Sequence, residues 1–148
     1  MAPKKQNIEF GELLNHTGYH IRRAHSTFMR LFSVYGKAYS LKSQQSSILV
    51  LARENPGITP AAIAEAIEIE RSLIAKLLID LKDRGFIETR VSITDGRQKG
   101  LYITAKGKIF IRKVIDTFWQ QLEPKLTKNL SAKERLTLIR LLEKLYSS

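Results

Sequence analysis

The chain has 148 residues and a formal net charge of +11, from 25 Lys/Arg against 14 Asp/Glu. Hydrophobic residues make up 43 % and charged residues 26 %, an ordinary globular balance that allows a buried core. Cysteine is absent, which excludes disulfides, thiolate metal sites and thiol redox sensing, and no apolar run approaches the ~18 residues of a membrane span. The first long helix is expected over about 12–35. Leu14, Ile21, Phe28 and Tyr35 recur every seven residues there, with Ala24 and Leu31 between them, as one apolar stripe. Gly36 and Ser40 mark a break. A second helix fits 43–54, with Ser43 as its cap, and the Pro56-Gly57 turn ends it. Thr59 caps a third helix with Pro60 at its first position, and Ile63, Ala64 and Ile67 form its inner face.

A tight break at Glu68-Ile69-Glu70 leads to a fourth helix, 71–84. Ile74, Leu77, Leu78 and Leu81 follow the i, i+3, i+4, i+7 pattern, and Gly85 closes the helix. Its opposite face carries Arg71, Ser72, Ala75, Lys76 and Ile79. Residues 86–91 and 100–104 read as two strands around Asp95-Gly96, a hairpin-turn pair. Thr104 caps a fifth helix running to about 121 or beyond, with Phe110, Val114, Phe118 and Leu122 inward; Pro124 is expected to kink it or mark a turn. Ser131 and Glu134 form a capping-box pattern for a last helix, whose apolar face is Leu138, Ile139, Leu142, Leu145 and Tyr146.

The order is long helix, three short helices, hairpin, two helices. A short helix, a tight turn and a second helix with a polar outer face make a helix-turn-helix candidate, and the hairpin after it makes a wing. The charge excess lies elsewhere: residues 41–104 carry nine Lys/Arg against eight Asp/Glu, whereas 105–148 carry ten against four. So basic a chain suits a polyanionic partner.

Asp95, Arg97, Ile103, Thr104 and Gly107 keep the spacing of a known wing signature: Asp-x-Arg, five residues, Leu or Ile, Thr, two residues, Gly. On these residues, and on "LKDRGFI" and "GYHIRRA", the chain resembles the MarR family of winged helix-turn-helix transcriptional regulators over nearly its whole length. The resemblance implies a mainly α fold with a small β-hairpin wing (α+β). It implies one domain over 1–148, with a winged lobe at about 41–104 and dimerisation helices at about 9–36 and 105–148. Arg97 would enter a minor groove, where a narrow groove concentrates negative potential, with Asp95 holding its side chain extended. Arg71, Ser72, Ala75 and Lys76 would face a major groove. Lys99, Lys106 and Lys108 would reach phosphates, although each alone fits a solvated surface lysine as well. The family often has Thr-Arg where this chain has Ala75-Lys76.

In that family ligands bind between the dimerisation helices and the winged lobe. Tyr19, Arg22, Arg23 and His25 are therefore the effector-binding candidates, for an aromatic acid or another small anion. For either arginine alone, pairing with acids of a partner subunit is the stronger reading.

The expected function is sequence-specific binding of double-stranded DNA by a cytoplasmic homodimeric repressor that a small anionic or aromatic ligand releases. A winged-helix module for protein or RNA docking is the alternative from another class. No enzyme activity, cofactor, metal or membrane contact is expected. The one metal-like pattern, Glu12, His16 and His20 at four-residue spacing, is read as a polar helix face.

Overall fold

The computed structural model describes residues 7–91 and 99–147. Its helices are α1 (Thr17–Gly36), α2 (Ser43–Glu54), α3 (Pro60–Ala66), α4 (Arg71–Asp83), α5 (Ala105–Lys113), α6 (Gln120–Leu126) and α7 (Ala132–Tyr146). A π-helical turn, Val114–Trp119, joins α5 to α6, and strands β1 (Ile87–Val91) and β2 (Lys99–Ile103) form one antiparallel hairpin.

The first helix begins later than its periodicity suggests. Gly11 takes a positive φ of 52°, residues Gly11–Asn15 form a 3-10 turn, and His16 is extended. The Glu12/His16/His20 ladder therefore does not share one helix face. The His20 ring instead hydrogen-bonds the Leu14 carbonyl at 2.9 Å. Among the described residues no group of three His, Cys, Asp or Glu is placed to hold a metal. The stripe also divides. Phe28, Leu31, Phe32 and Tyr35 pack on the core, while Leu14 and Ile21 lie exposed.

Helix α2 is capped by Lys42 rather than Ser43. The Gln45 side chain reaches back to accept from the Lys42 backbone N–H at 3.0 Å, which leaves Ser43 as the first helical residue. Buried Gln45 also donates to Asp80 at 2.6 Å, tying α2 to α4. Thr59 caps α3 as expected, accepting from Ala62 N at 3.2 Å. Ile63 and Ala64 are buried, whereas Ile67 is only half-buried at the turn that follows. Pro124 lies inside α6, and the helix runs on to Leu126 instead of breaking. Gln120, whose carbonyl loses a donor there, is exposed, so water can take the place of the missing bond.

A single buried cluster draws on α1 to α6 and both strands. Phe32 meets Phe118 edge-on with ring centroids 4.8 Å apart, and Phe86 stacks on Phe110 at 4.2 Å. Arg84 bridges the loop after α1 to the end of α4. It donates to the Ser40 and Tyr39 carbonyls at 2.7 and 2.9 Å, and its guanidinium lies over the Phe86 ring at 4.8 Å. Helix α7 buries no residue. It is joined to α6 by the Arg135–Glu123 pair at 2.8 Å and leaves Leu138, Ile139 and Leu142 exposed.

Candidate nucleic-acid interface

The α3–α4 pair is built by a tight turn. Glu68 adopts a left-handed φ of 49°, and Ile69 N donates to Ala64 O at 3.0 Å. Glu70 caps α4 in extended conformation. Burial of Ile74, Leu77, Leu78 and Leu81 then fixes the rotation of α4 about its axis. Because the residues are about 100° apart around the axis, Arg71, Ser72, Ala75, Lys76 and Ile79 must point away from the core. All five are exposed. A shallow groove of about 440 Å³ runs along this side, with Pro60, Arg71, Ala75 and Lys82 on its walls. Glu65, Glu68 and Glu70 gather around Arg71, so the start of α4 is electrostatically mixed.

The hairpin is fixed at its base rather than at its strands alone. Ile87 pairs with Ile103 and Val91 with Lys99. Residues 57–58 add a third edge: Leu101 N donates to Ile58 O, and Gly57 N to Leu101 O, each at 2.9 Å. Gly100 passes so close that a Cβ there would lie 2.6 Å from the Gly57 oxygen. Thr104 closes the base. Its hydroxyl donates to Gly85 O at 2.7 Å and accepts from Gly107 N at 3.0 Å. Within the wing signature, Ile103, Thr104 and Gly107 thus form the base of the hairpin. Asp95 and Arg97 lie outside the described residues. Lys99, at the start of β2, is exposed.

A model of the MarR family matches residues 39–98, the segment that holds this helix-turn-helix and the first strand of the wing. The chain is similar to MarR-family proteins. It is 29 % identical over 137 residues to a protein named as transcriptional regulator for the hcr operon of Thauera aromatica, covering 92 % of this chain and 82 % of that one. The transcriptional repressor CouR, solved bound to a 23-mer DNA duplex, superposes with a TM-score of 0.88 at 27 % identity, over 95 % of this chain and 99 % of CouR. BpsR of Bordetella bronchiseptica, whose DNA binding is regulated by 6-hydroxynicotinic acid, shares the fold with a TM-score of 0.84 at 20 % identity, over 97 % and 99 % of the two chains. The Thauera protein and CouR are both named for the regulation of transcription.

In the folded chain the lysines and arginines sort differently from their sequence positions. Lys106 is held locally, its Nζ donating to Arg84 O at 2.7 Å. Lys108 lines a groove between α2 and α5. Arg90, which the sequence reading passed over, stands on β1 with its guanidinium 4.7 Å from the Tyr102 ring centroid and its Nε donating to Glu88 at 2.8 Å. An exposed arginine held on an aromatic face is a preset cation on the wing. Its signal was the strand register, which sets Glu88 opposite Tyr102 with Arg90 two residues on.

Among the effector candidates, Arg23 donates to the Tyr19 hydroxyl at 3.0 Å, and both Arg22 and Arg23 lie within 5.9 Å of the Tyr19 ring centroid. Arg23 also lies over Phe10. His25 sits beside Phe28 instead, in a groove of about 640 Å³ between α1, α6 and α7 that Arg23 also reaches. Three of the four residues thus cluster around one tyrosine, and the fourth faces an apolar trough. No helix among the described residues is long and apolar enough to cross a membrane.

Proposed function

We propose that the chain is a sequence-specific regulator of transcription that binds double-stranded DNA as a homodimer, represses in that state, and is released by a small aromatic or anionic ligand. The observation that carries this reading is the orientation of α4. Its apolar face is locked into the core, and Arg71, Ser72 and Lys76 are turned outward beside a braced hairpin. Arginine and lysine at such positions read guanine or hold phosphate. The likeness to CouR on its duplex supports DNA as the partner.

In this reading residues 1–148 act as one unit in the cytoplasm. Residues 41–104 serve as the DNA-binding lobe, and 9–36 and 105–148 as the dimerisation helices. Arg97 enters a minor groove with Asp95 beside it, Ala75 packs against a base edge, and Lys99 and Arg90 hold flanking phosphates. The exposed apolar residues of α1 and α7 meet those of a second copy, since an isolated chain seldom leaves such a face to water. Two α4 helices then address half-sites about one helical turn apart. Tyr19, Arg22, Arg23 and His25 form the effector site, with the ring to cover a flat ligand and the guanidinium groups to hold a carboxylate. A ligand that prefers the DNA-free form shifts the population away from the operator.

Selection of genomic fragments by the purified protein, followed by sequencing, tests the reading. A shared two-fold motif is expected, with affinity that falls steeply with salt. Enrichment of no common sequence would overturn it. Titrating phenolic and benzoic acids against the protein–operator complex then tests the effector.

A further inference from the structure

A second concentration of positive charge lies on α5. Lys106, Lys108, Arg112 and Lys113 fall within its nine residues, which include no acid. Lys106 is engaged by the Arg84 carbonyl. The other three are exposed, and among the described residues they enter no ion pair within 4.0 Å. Together with Arg53 of α2 they line a groove of about 730 Å³, in which Asp116 is the one acid and Ile109 stands 72 % exposed. The groove shares no residue with the one along α3 and α4.

The helix's own electrostatics do not account for these cations. Lys106 and Lys108 stand near its N-terminal end, where the macrodipole disfavours positive charge. Arg112 and Lys113 would be favoured at a C-terminal end, but the helical path continues through Val114–Trp119 and ends at Leu126. Lys108 and Arg112 are one turn apart and repel each other. Arg53 is oriented by its Nε bond to Glu54 at 2.6 Å, which leaves the rest of its guanidinium fork to a ligand. An exposed isoleucine among these cations adds an apolar contact for an organic body.

We propose that this groove binds the phosphate groups of an anionic ligand, at a site separate from the recognition helix and the wing. A guanidinium meets phosphate through two parallel bonds, and lysines add point charges around it. The volume suits a small molecule. The phosphates belong either to such a molecule or to DNA flanking the operator.

Titration calorimetry with inorganic triphosphate, on the wild type and on Arg112→Gln/Lys113→Gln, tests the site, alongside binding of a minimal operator duplex and the same duplex extended at both ends. Both side chains are exposed, so the variant is expected to melt with the wild type; Arg112→Gln alone serves if it does not. For a small-molecule site, triphosphate binds the wild type and its affinity falls roughly tenfold or more in the variant, from the lost charge-assisted bonds, while both duplexes bind unchanged. For flanking DNA, the variant binds the minimal duplex normally and loses the advantage of the extended one. A well-folded variant that binds triphosphate and both duplexes as the wild type does overturns the proposal. The triphosphate measurement does not depend on operator binding, so its failure is distinct from failure of the regulator reading.

Discussion

A Cβ placed on Gly107 would lie 2.1 Å from the Phe86 carbonyl oxygen and 2.7 Å from Ile103 Cγ1. The first turn of α5 therefore presses directly on the backbone where α4 hands over to β1. Gly107→Ala would force these segments apart, at a cost of about 1–3 kcal/mol by analogy with overpacked cores. Chemical denaturation should show a lowered midpoint, and DNA affinity should drop with it because the wing base moves. A Gly107→Ala protein as stable as the wild type would show that α5 does not brace the wing.

Arg90 and Arg97 should separate by their effects. Arg97→Ala should weaken operator binding by about 1–3 kcal/mol, with little effect on folding. Arg90→Gln should lower affinity uniformly across sequences and reduce the salt slope by about one, the signature of a phosphate contact. Equal loss of sequence preference in both variants would contradict this division.

The face of α4 offers a third comparison. Arg71→Ala or Lys76→Ala should reduce affinity, and at least one should relax preference at a defined base position. Glu68→Gln and Glu70→Gln remove negative charge beside Arg71 and should raise affinity for unrelated DNA. Competition binding against nonspecific duplex measures both, and unchanged nonspecific affinity in the glutamine variants would place those acids away from the DNA.

Assembly can be probed on α7. Leu142→Glu puts charge onto the exposed apolar face, and sedimentation should then show monomers where the wild type runs near twice 16.9 kDa. A monomeric Leu142→Glu that still binds a full two-fold operator tightly would refute the dimer arrangement.

Glu134 gives a pH-dependent readout on the same helix. The Ser131 hydroxyl and then the Ser131 backbone N–H, both donating to its carboxylate, hold the Glu134 carboxyl below its ordinary range. The folded form thus prefers the charged carboxylate. Its contribution to α7 is fully present above the ordinary glutamate value, about 4.3, and is lost as the pH falls through the lower folded value. In Glu134→Gln, which carries no charge, helix content should lose that acid-dependent step. Identical acid titrations in the two proteins would exclude a role for the cap.

The elements were legible in the sequence wherever a local pattern and a local partner agree. Thr59, Ser131 and Gly85 mark helix ends because each acts on residues at most a few positions away. The inner face of α4 was legible because one run of four apolar residues fixes a helix's rotation, and with it the outward set from Arg71 to Lys76. The rest was decided by backbone conformation that periodicity does not encode, some of it local and some set by distant segments. Gly11 and extended His16 broke the histidine ladder that a continuous helix would have made. Lys42, its N–H held by the Gln45 side chain, took the cap of α2 from Ser43, and Lys106 was drawn to the Arg84 carbonyl. Thr104 and Gly107 proved to be the wing's fixed base because residues about twenty positions earlier close over them. The apolar stripe of α1 was readable as a stripe, but which half meets the core and which meets water is set by where Val114–Trp119 and α6 leave room. Periodicity along one helix holds no information about that space.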